Sequence, residues 1–440
     1  MDEDRRDARR RLDADPSDEG AIQAAWAAAL RSGEATSDAL RLAAHLGDHP
    51  ARRFAAERGI ELGWERTVDD ASLEQLVGLP VQRLALNLKG VTDAGLERIA
   101  QLPALQELDL NDRPITDAGL ARLAACASLR EVLLRGTAIS DAGLAHLAAL
   151  PRLTALTLTG TAISDAGLAH LADATGLERL TLIHTAVSDA GLAHLERLTA
   201  LTHLYLDRTQ VRGEGLRHLA GMQGLQKLHL WQTGVEDAHL GPLAHLRRVR
   251  ELNLHSTRVT GAGMAYLAGW NRLEILDLDR TSVDDAGLVF LSGNHALLSL
   301  GLGHTPITDG GLQFVGLCPN LYVLDLSGTQ VTDAGLRCLA PLGQLGVLRL
   351  EDTGVGDAGL RELAGLLGLA SLDLNGTQVT DAGMRSLARL PALRDLDLRN
   401  TAVGDAGVAQ FAALAELRVS AHGSRVTPAG AARLEAQVTL

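Results

Sequence analysis

The sequence predicts an α/β solenoid, and three observations predict it. A segment of the form VTDAGL returns on a strict ruler. Each return is preceded by alternating leucines and followed by leucines at helical spacing. The apolar residues are almost wholly aliphatic, with aromatics at 2% of the chain. With Asp93 as origin, the equivalent positions are Asp117, Asp141, Asp165, Asp189, Gly213, Asp237, Gly261, Asp285, Asp309, Asp333, Asp357, Asp381 and Asp405, every step being 24 residues. A half copy, DDASLEQLVGL, precedes the array, and a degenerate copy, VTPAG, places Pro428 at a step of 23. One such unit cannot bury its own apolar face, so neighbours must stack.

Within a unit, the first half alternates apolar and polar residues, as at Leu105, Leu108 and Leu110, and reads as a short strand. The second half, as at Leu120, Leu123 and Ala124, has apolar residues on one face of a helix. Between them, Thr or Ser before the Asp is a good N-cap, and the Asp suits the positive end of the helix. Gly at the third helical position is a poor helix former. It is expected to let the helix start lie against the neighbouring coil, where a Cβ would collide.

This pattern resembles the leucine-rich-repeat family over about residues 70–415, roughly four-fifths of the chain, with fourteen copies in register. The resemblance implies a right-handed, horseshoe-shaped solenoid with a concave parallel β-sheet and convex helices. Thr137, Thr161, Thr185 and their equivalents through Thr401 stand where the family usually has Asn or Cys. The resemblance implies that they hydrogen-bond backbone in the turn after the strand. Arg113 and Lys89 depart from the pattern, so this ladder is expected to weaken toward the N-terminal end. Cys126 and Cys318 fall nine residues after the Asp. That position names the cysteine-containing subclass, similar to the ribonuclease-inhibitor-like repeats of F-box proteins. No F-box is recognisable, and ubiquitin ligation is not carried over. Fifteen strands would give an arc of roughly 70 Å, a length suited to a macromolecule.

The array is expected to need caps. Residues 1–68 leave the ruler and read as a small all-α region, with Trp26, Phe54 and Trp64 as its core. The alternative is a module that docks a second protein, which would make the chain a substrate-recruiting adaptor. The solenoid itself is assigned to residues 69–415. Residues 416–440 read as a degenerate last repeat and C-terminal cap ending in a helix.

Composition excludes several functions. A formal net charge of −13 argues against general affinity for nucleic acid or an anionic membrane. Three cysteines make no disulfide framework, and their spacing fits no zinc motif. The charged N-terminus has no signal-like apolar run, so a cytoplasmic protein is expected. No GxSxG, HExxH or GxxxxGK motif is present, and no cofactor is expected. The Asp ladder has a full structural explanation at helix starts. A second ladder, His146, His170, His194 and His218, falls on the same helices, about 8–10 Å apart, too far for shared ion ligands.

The open face of the strands is where the repeat stops dictating residues, because side chains alternate along a strand. Its central repeats carry Arg179, His184, His203, Tyr205, Asp207, Arg208, Lys227, His229, Trp231, Gln232, Glu251, His255, Asp279 and Arg280, whereas acids such as Asp109, Asp373 and Asp397 dominate the flanks. With only three Tyr and four Trp in the chain, Tyr205 and Trp231 on adjacent strands mark a partner site. The expected site comprises Tyr205, Trp231, His229, His203, His255, Arg208, Lys227, Asp207, Asp279 and Arg280. A non-enzymatic scaffold binding a basic or Arg-containing protein is the function this implies. His203, His229 and His255 stand in three different columns, which favours plain exposure over metal chelation. The departures Gly213–Glu214, His239 and Gly261 are expected to alter the scaffold locally near Trp231.

Overall fold

The computed structural model describes residues 62–63, 69–71, 73–74, 77, 81–85, 90–414, 416–432 and 437–439. Of the expected all-α region, residues 1–68, only Leu62–Gly63 is described, and it is a strand rather than a helix; Trp26, Phe54 and Trp64 lie outside the described residues, as does Lys89. The chain divides into two compact units, Met1–Ala186 and Val187–Leu440.

In the first unit, the strands Leu62–Gly63, Arg83–Ala85, Glu107–Asp109, Glu131–Leu133, Ala155–Thr157 and Arg179–Thr181 pair in parallel, each with the next in sequence. In the second, parallel pairing runs from His203–Tyr205 through Lys227–His229, Glu251–Asn253, Ile275–Asp277, Ser299–Gly301 and Val323–Asp325, and on to Gln437–Thr439. Register joins equivalent residues, so the columns of the repeat are columns of the sheet. The central leucine of each strand, such as Leu204, Leu228 or Leu252, is buried, and its two neighbours face outward. Each such leucine contributes about 1.5–3 kcal/mol of burial.

The Asp and Gly of DAGL turn out to be one device. Where the next repeat has a Thr or Ser N-cap, the Asp accepts both its backbone N–H and its hydroxyl; where the cap is Gly356 or Gly404, it accepts the N–H alone. Thr116 gives 2.8 and 2.6 Å to Asp93, and Thr380 the same distances to Asp357. The Asp therefore ties repeats together as well as suiting its own helix start. A Cβ at Gly119 would stand 2.2 Å from Asp93 Oδ1, and one at Gly359 2.6 Å from Asp333 Oδ1, which is why this position is Gly.

The Thr ladder behaves as the resemblance implied. Each hydroxyl donates to the carbonyl three residues back, from Thr137 to Leu134 at 2.7 Å through Thr401 to Leu398 at 2.7 Å. Arg113, the departure, is buried with its Nε lacking a partner. The residue before each Thr turns left-handed, at φ 54° for Arg208 and 56° for Arg280. Gly136, Gly160, Gly328 and Gly376 fill the same column, where Gly adopts this conformation at no steric cost.

Helical segments differ along the chain. The first unit has α-helices such as Asp117–Leu123 and Asp141–Ala148. In the second, Glu214–Leu219, Asp237–Leu243, Gly263–Leu267 and Asp285–Gly293 are 3-10 turns. The first three coincide with the departures Gly213–Glu214, His239 and Gly261, and Pro242 denies the second of these turns an N–H. Among the described residues from 416 on, only the turn Pro428–Ala431 is helical, and the last of them, Gln437–Thr439, form a strand rather than the expected closing helix. Cys126 and Cys318 are buried, and burial pushes each thiol up to about 11.

Candidate functional site

Four strands of the second unit build the site: His203–Tyr205, Lys227–His229, Glu251–Asn253 and Ile275–Asp277. Register aligns His203, Lys227, Glu251 and Ile275 in one column, and Tyr205, His229, Asn253 and Asp277 in the next. Asp207, Trp231, His255 and Asp279 follow at the strand ends, and Arg208, Gln232, Ser256 and Arg280 occupy the left-handed turn.

Most of the expected residues meet. The Tyr205 and His229 rings lie edge to face, 4.7 Å between centroids, and Trp231 and His255 do the same at 5.6 Å. Arg208 Cζ sits 4.3 Å from the centroid of the Trp231 ring, and its Nε donates to Gln232 Oε1 at 2.8 Å. A guanidinium stacked on indole adds a cation–π attraction. His203 Nδ1 is 2.8 Å from the Thr202 hydroxyl.

Asp207 is only 3% exposed, so it supports the site rather than presenting itself to a partner. Its Oδ1 accepts the Trp231 backbone N–H at 2.8 Å, and its Oδ2 lies 3.7 Å from His229 Nδ1. On the other side, His229 Nε2 is 2.8 Å from Glu251 Oε1, and Glu251 Oε2 takes an ion pair from Lys227 at 2.5 Å. Glu251 is thus the hub of the network. It was missing from the expected site, although its place one repeat after Lys227 already carried the signal. Burial alone would lower the His229 pKa, but Asp207 and Glu251 hold it above the usual imidazole value. Burial works against the Glu251 carboxylate too, yet Lys227 and His229 keep its pKa below the ordinary one.

Trp231 is half-buried, and its Nε1–H is buried without a partner. It is a ring laid down under Arg208 and against His255, rather than a side chain projecting into solvent. Asp279 stands beside Asp277, where burial and then Asp277 push it up to about 7. Arg280 is exposed at its turn, and no ion pair or ring contact joins it to the network among the described residues. Toward the strand starts, Ile275, Leu298 and Tyr322 are 40%, 44% and 50% exposed and give the face an apolar margin.

A groove of about 880 Å³ lies where the helical segments begin, lined by Asp189, Arg212, Glu214, Glu236, His239 and Arg258 among others. Here Gly213 adopts φ 119°, and a Cβ on it would meet His239 Nδ1 at 2.2 Å, so the ring occupies space the glycine leaves. The sequence signalled this place only as broken consensus.

The comparisons agree on architecture. Residues 94–196 match the leucine-rich repeats of an FBD-associated F-box protein, and residues 317–340 and 369–388 match a family described as Leucine Rich repeat. No curated protein matches. Among solved structures, the chain is similar to an internalin (inlF) of Listeria monocytogenes, with 22% identity, TM-score 0.53, and coverage of 86% of this chain and 94% of that one. It is also similar to a Leptospira interrogans LRR protein, with 17% identity, TM-score 0.54, and coverage of 89% and 99%. A third is the LRR ectodomain of the Arabidopsis thaliana receptor kinase GASSHO1/SCHENGEN3, solved with CASPARIAN STRIP INTEGRITY FACTOR 2, with 16% identity and TM-score 0.55. That match covers 83% of this chain and 48% of the ectodomain. At these identities the likeness is one of fold. Among the described residues, no helix is long and apolar enough to cross a membrane.

Proposed function

This chain is a leucine-rich-repeat protein, and on that premise we propose that it is a non-enzymatic scaffold binding a protein partner on the strand face of its second unit. The observation that carries the reading is the Trp231 assembly: a rare aromatic whose backbone N–H is held by Asp207 and whose ring is covered by Arg208 and abutted by His255. A rigid, half-buried aromatic beside Tyr205 loses little freedom when a partner covers it, which is how interface anchors act. Ile275, Leu298 and Tyr322 extend the apolar area. The plant ectodomain was solved with a named factor bound, which supports the same use of such a fold.

A basic or Arg-containing partner suits the acids beyond this patch. Glu351 and Asp373 face the open side, and among the described residues neither has a Lys or Arg within ion-pair distance. Complementary charge of this kind governs partner choice and encounter rate more than affinity. The test is a comparative capture experiment with wild type, Trp231→Ala and Tyr205→Ala, each checked for unchanged thermal unfolding. A partner retained by wild type and lost by both variants supports the site. Equal retention by all three removes it.

A further inference from the structure

His255, Asp277 and Asp279 converge at the edge of the Trp231 assembly, with which they share His255. One ligand atom from each lies within 4.8 Å of the others, and His255 Nδ1 is 3.8 Å from Asp277 Oδ1. The recess beside them is open because the next strand carries Gly301 and Gly303 in the same two columns. A Cβ at Gly301 would stand 2.7 Å from Asp279 Oδ1 and 3.1 Å from Asp277 Oδ1. A Cβ at Gly303 would stand 3.3 Å from Asp279 Cγ and 3.4 Å from Asp325 Oδ1. Any other residue in either place would fill the space.

The two carboxylates are half-buried, side by side, and poorly neutralised. Among the described residues neither has a Lys or Arg within ion-pair distance. Three other strand-face acids do: Glu251 has Lys227 at 2.5 Å, Asp325 has Arg349 at 3.2 Å and Asp397 has Arg399 at 2.7 Å. Hydrogen bonds already orient the pair. Asn253 Nδ2 donates to Asp277 Oδ2 at 3.2 Å, the Asp279 N–H to Asp277 Oδ1 at 3.0 Å, and the Gly303 N–H to Asp279 Oδ1 at 2.6 Å. Supporting donors of this sort are what orient metal ligands.

We propose that His255, Asp277 and Asp279 bind one divalent ion of the zinc class in the recess left by Gly301 and Gly303. An imidazole with two carboxylates suits such ions, whereas calcium and magnesium prefer all-oxygen sites. Zinc takes these ligands at about 2.0–2.2 Å, so the set closes by about 1 Å on binding, within reach of side-chain rotation. Three protein ligands leave a fourth position toward solvent. The ion supplies the positive charge that the chain does not provide. The site shares His255 with the Trp231 assembly, but zinc binding needs no protein partner, so its failure and the failure of the Trp231 reading are distinguishable.

The experiment is calorimetric titration of the chelator-stripped full chain with zinc chloride near neutral pH. It compares wild type, His255→Ala, Asp279→Asn and Asp373→Asn, the last altering a half-buried acid in the Asp277 column. Wild type and Asp373→Asn are expected to share one site that is weakened at least roughly tenfold in the other two. Zinc should raise the unfolding temperature of the first pair only. Without zinc, Asp279→Asn should unfold no lower than wild type, because it removes one of two adjacent like charges. Equal zinc uptake by all four proteins, or no uptake by wild type, overturns the proposal.

Discussion

The Asp207 carboxylate accepts the Trp231 backbone N–H at 2.8 Å from a position that is 3% exposed. Its second oxygen faces His229. Asp207→Ala strands a backbone donor and removes one of the two anions flanking His229. The expected cost is about 1–3 kcal/mol of unfolding free energy, read by urea denaturation. Asp207→Asn keeps an acceptor for the N–H and should lose less. Equal losses in the two variants would mean the hydrogen bond is not what Asp207 contributes.

His229 gives the network a pH dependence with a definite sign. Its folded-state pKa is raised, against the lowering effect of burial, by Asp207 and Glu251. This stability is fully present below the usual value of 6.5 and is lost as pH rises through the folded value. Glu251 works the other way. Its contribution is present above 4.5 and is lost as pH falls through its depressed folded value. An NMR titration should place His229 above 6.5, and Glu251→Gln should move it down. A His229 that titrates below 6.5 in the wild type would show that burial outweighs its anionic partners.

The DAGL glycine is a packing requirement. Gly359→Ala drives a Cβ to 2.6 Å from Asp333 Oδ1, while Gly343→Ala meets nothing within 4 Å. The first substitution should cost roughly 1–3 kcal/mol, and the second should be neutral or slightly stabilising. Thermal unfolding of the two variants side by side distinguishes them, and similar losses would contradict the contact.

The inter-repeat tie is testable at Asp357, which accepts both the N–H and the hydroxyl of Thr380. Asp357→Ala should destabilise by about 1.5–3 kcal/mol, as expected for hydrogen bonds to a charged group. Thr380→Val combined with it should cost less than the sum of the two single losses, because the two residues share these hydrogen bonds. Strict additivity in that double-mutant cycle would separate them.

Much of this was legible in the sequence because a 24-residue period converts position into column. Leu204, Leu228 and Leu252 are core for the reason that places Tyr205, His229 and Asn253 outside it. The collision predicted for the DAGL glycine is present, with the Asp of the preceding repeat as its partner. What escaped depends on side-chain direction across columns. Asp207 belongs to an outward column, yet it folds under Trp231 and is buried. Glu251 read as one acid among many until Lys227 and His229 closed on it. Arg208 covers Trp231 from a left-handed turn, which no period reveals. Three 3-10 turns fall where Gly213, His239 and Gly261 replace the consensus, and the sequence marked the place without giving the geometry.

Whether Trp231 anchors a protein partner is read most directly by calorimetric titration of the captured partner into two variants. Trp231→Ala removes the anchor. Tyr266→Ala removes an aromatic that is 41% exposed on a helical segment, away from the strand face. Trp231→Ala should weaken binding by roughly 30-fold or more, the scale of an interface hot spot, while Tyr266→Ala should bind as wild type. Wild-type affinity in Trp231→Ala, with the fold intact, would contradict that anchoring role.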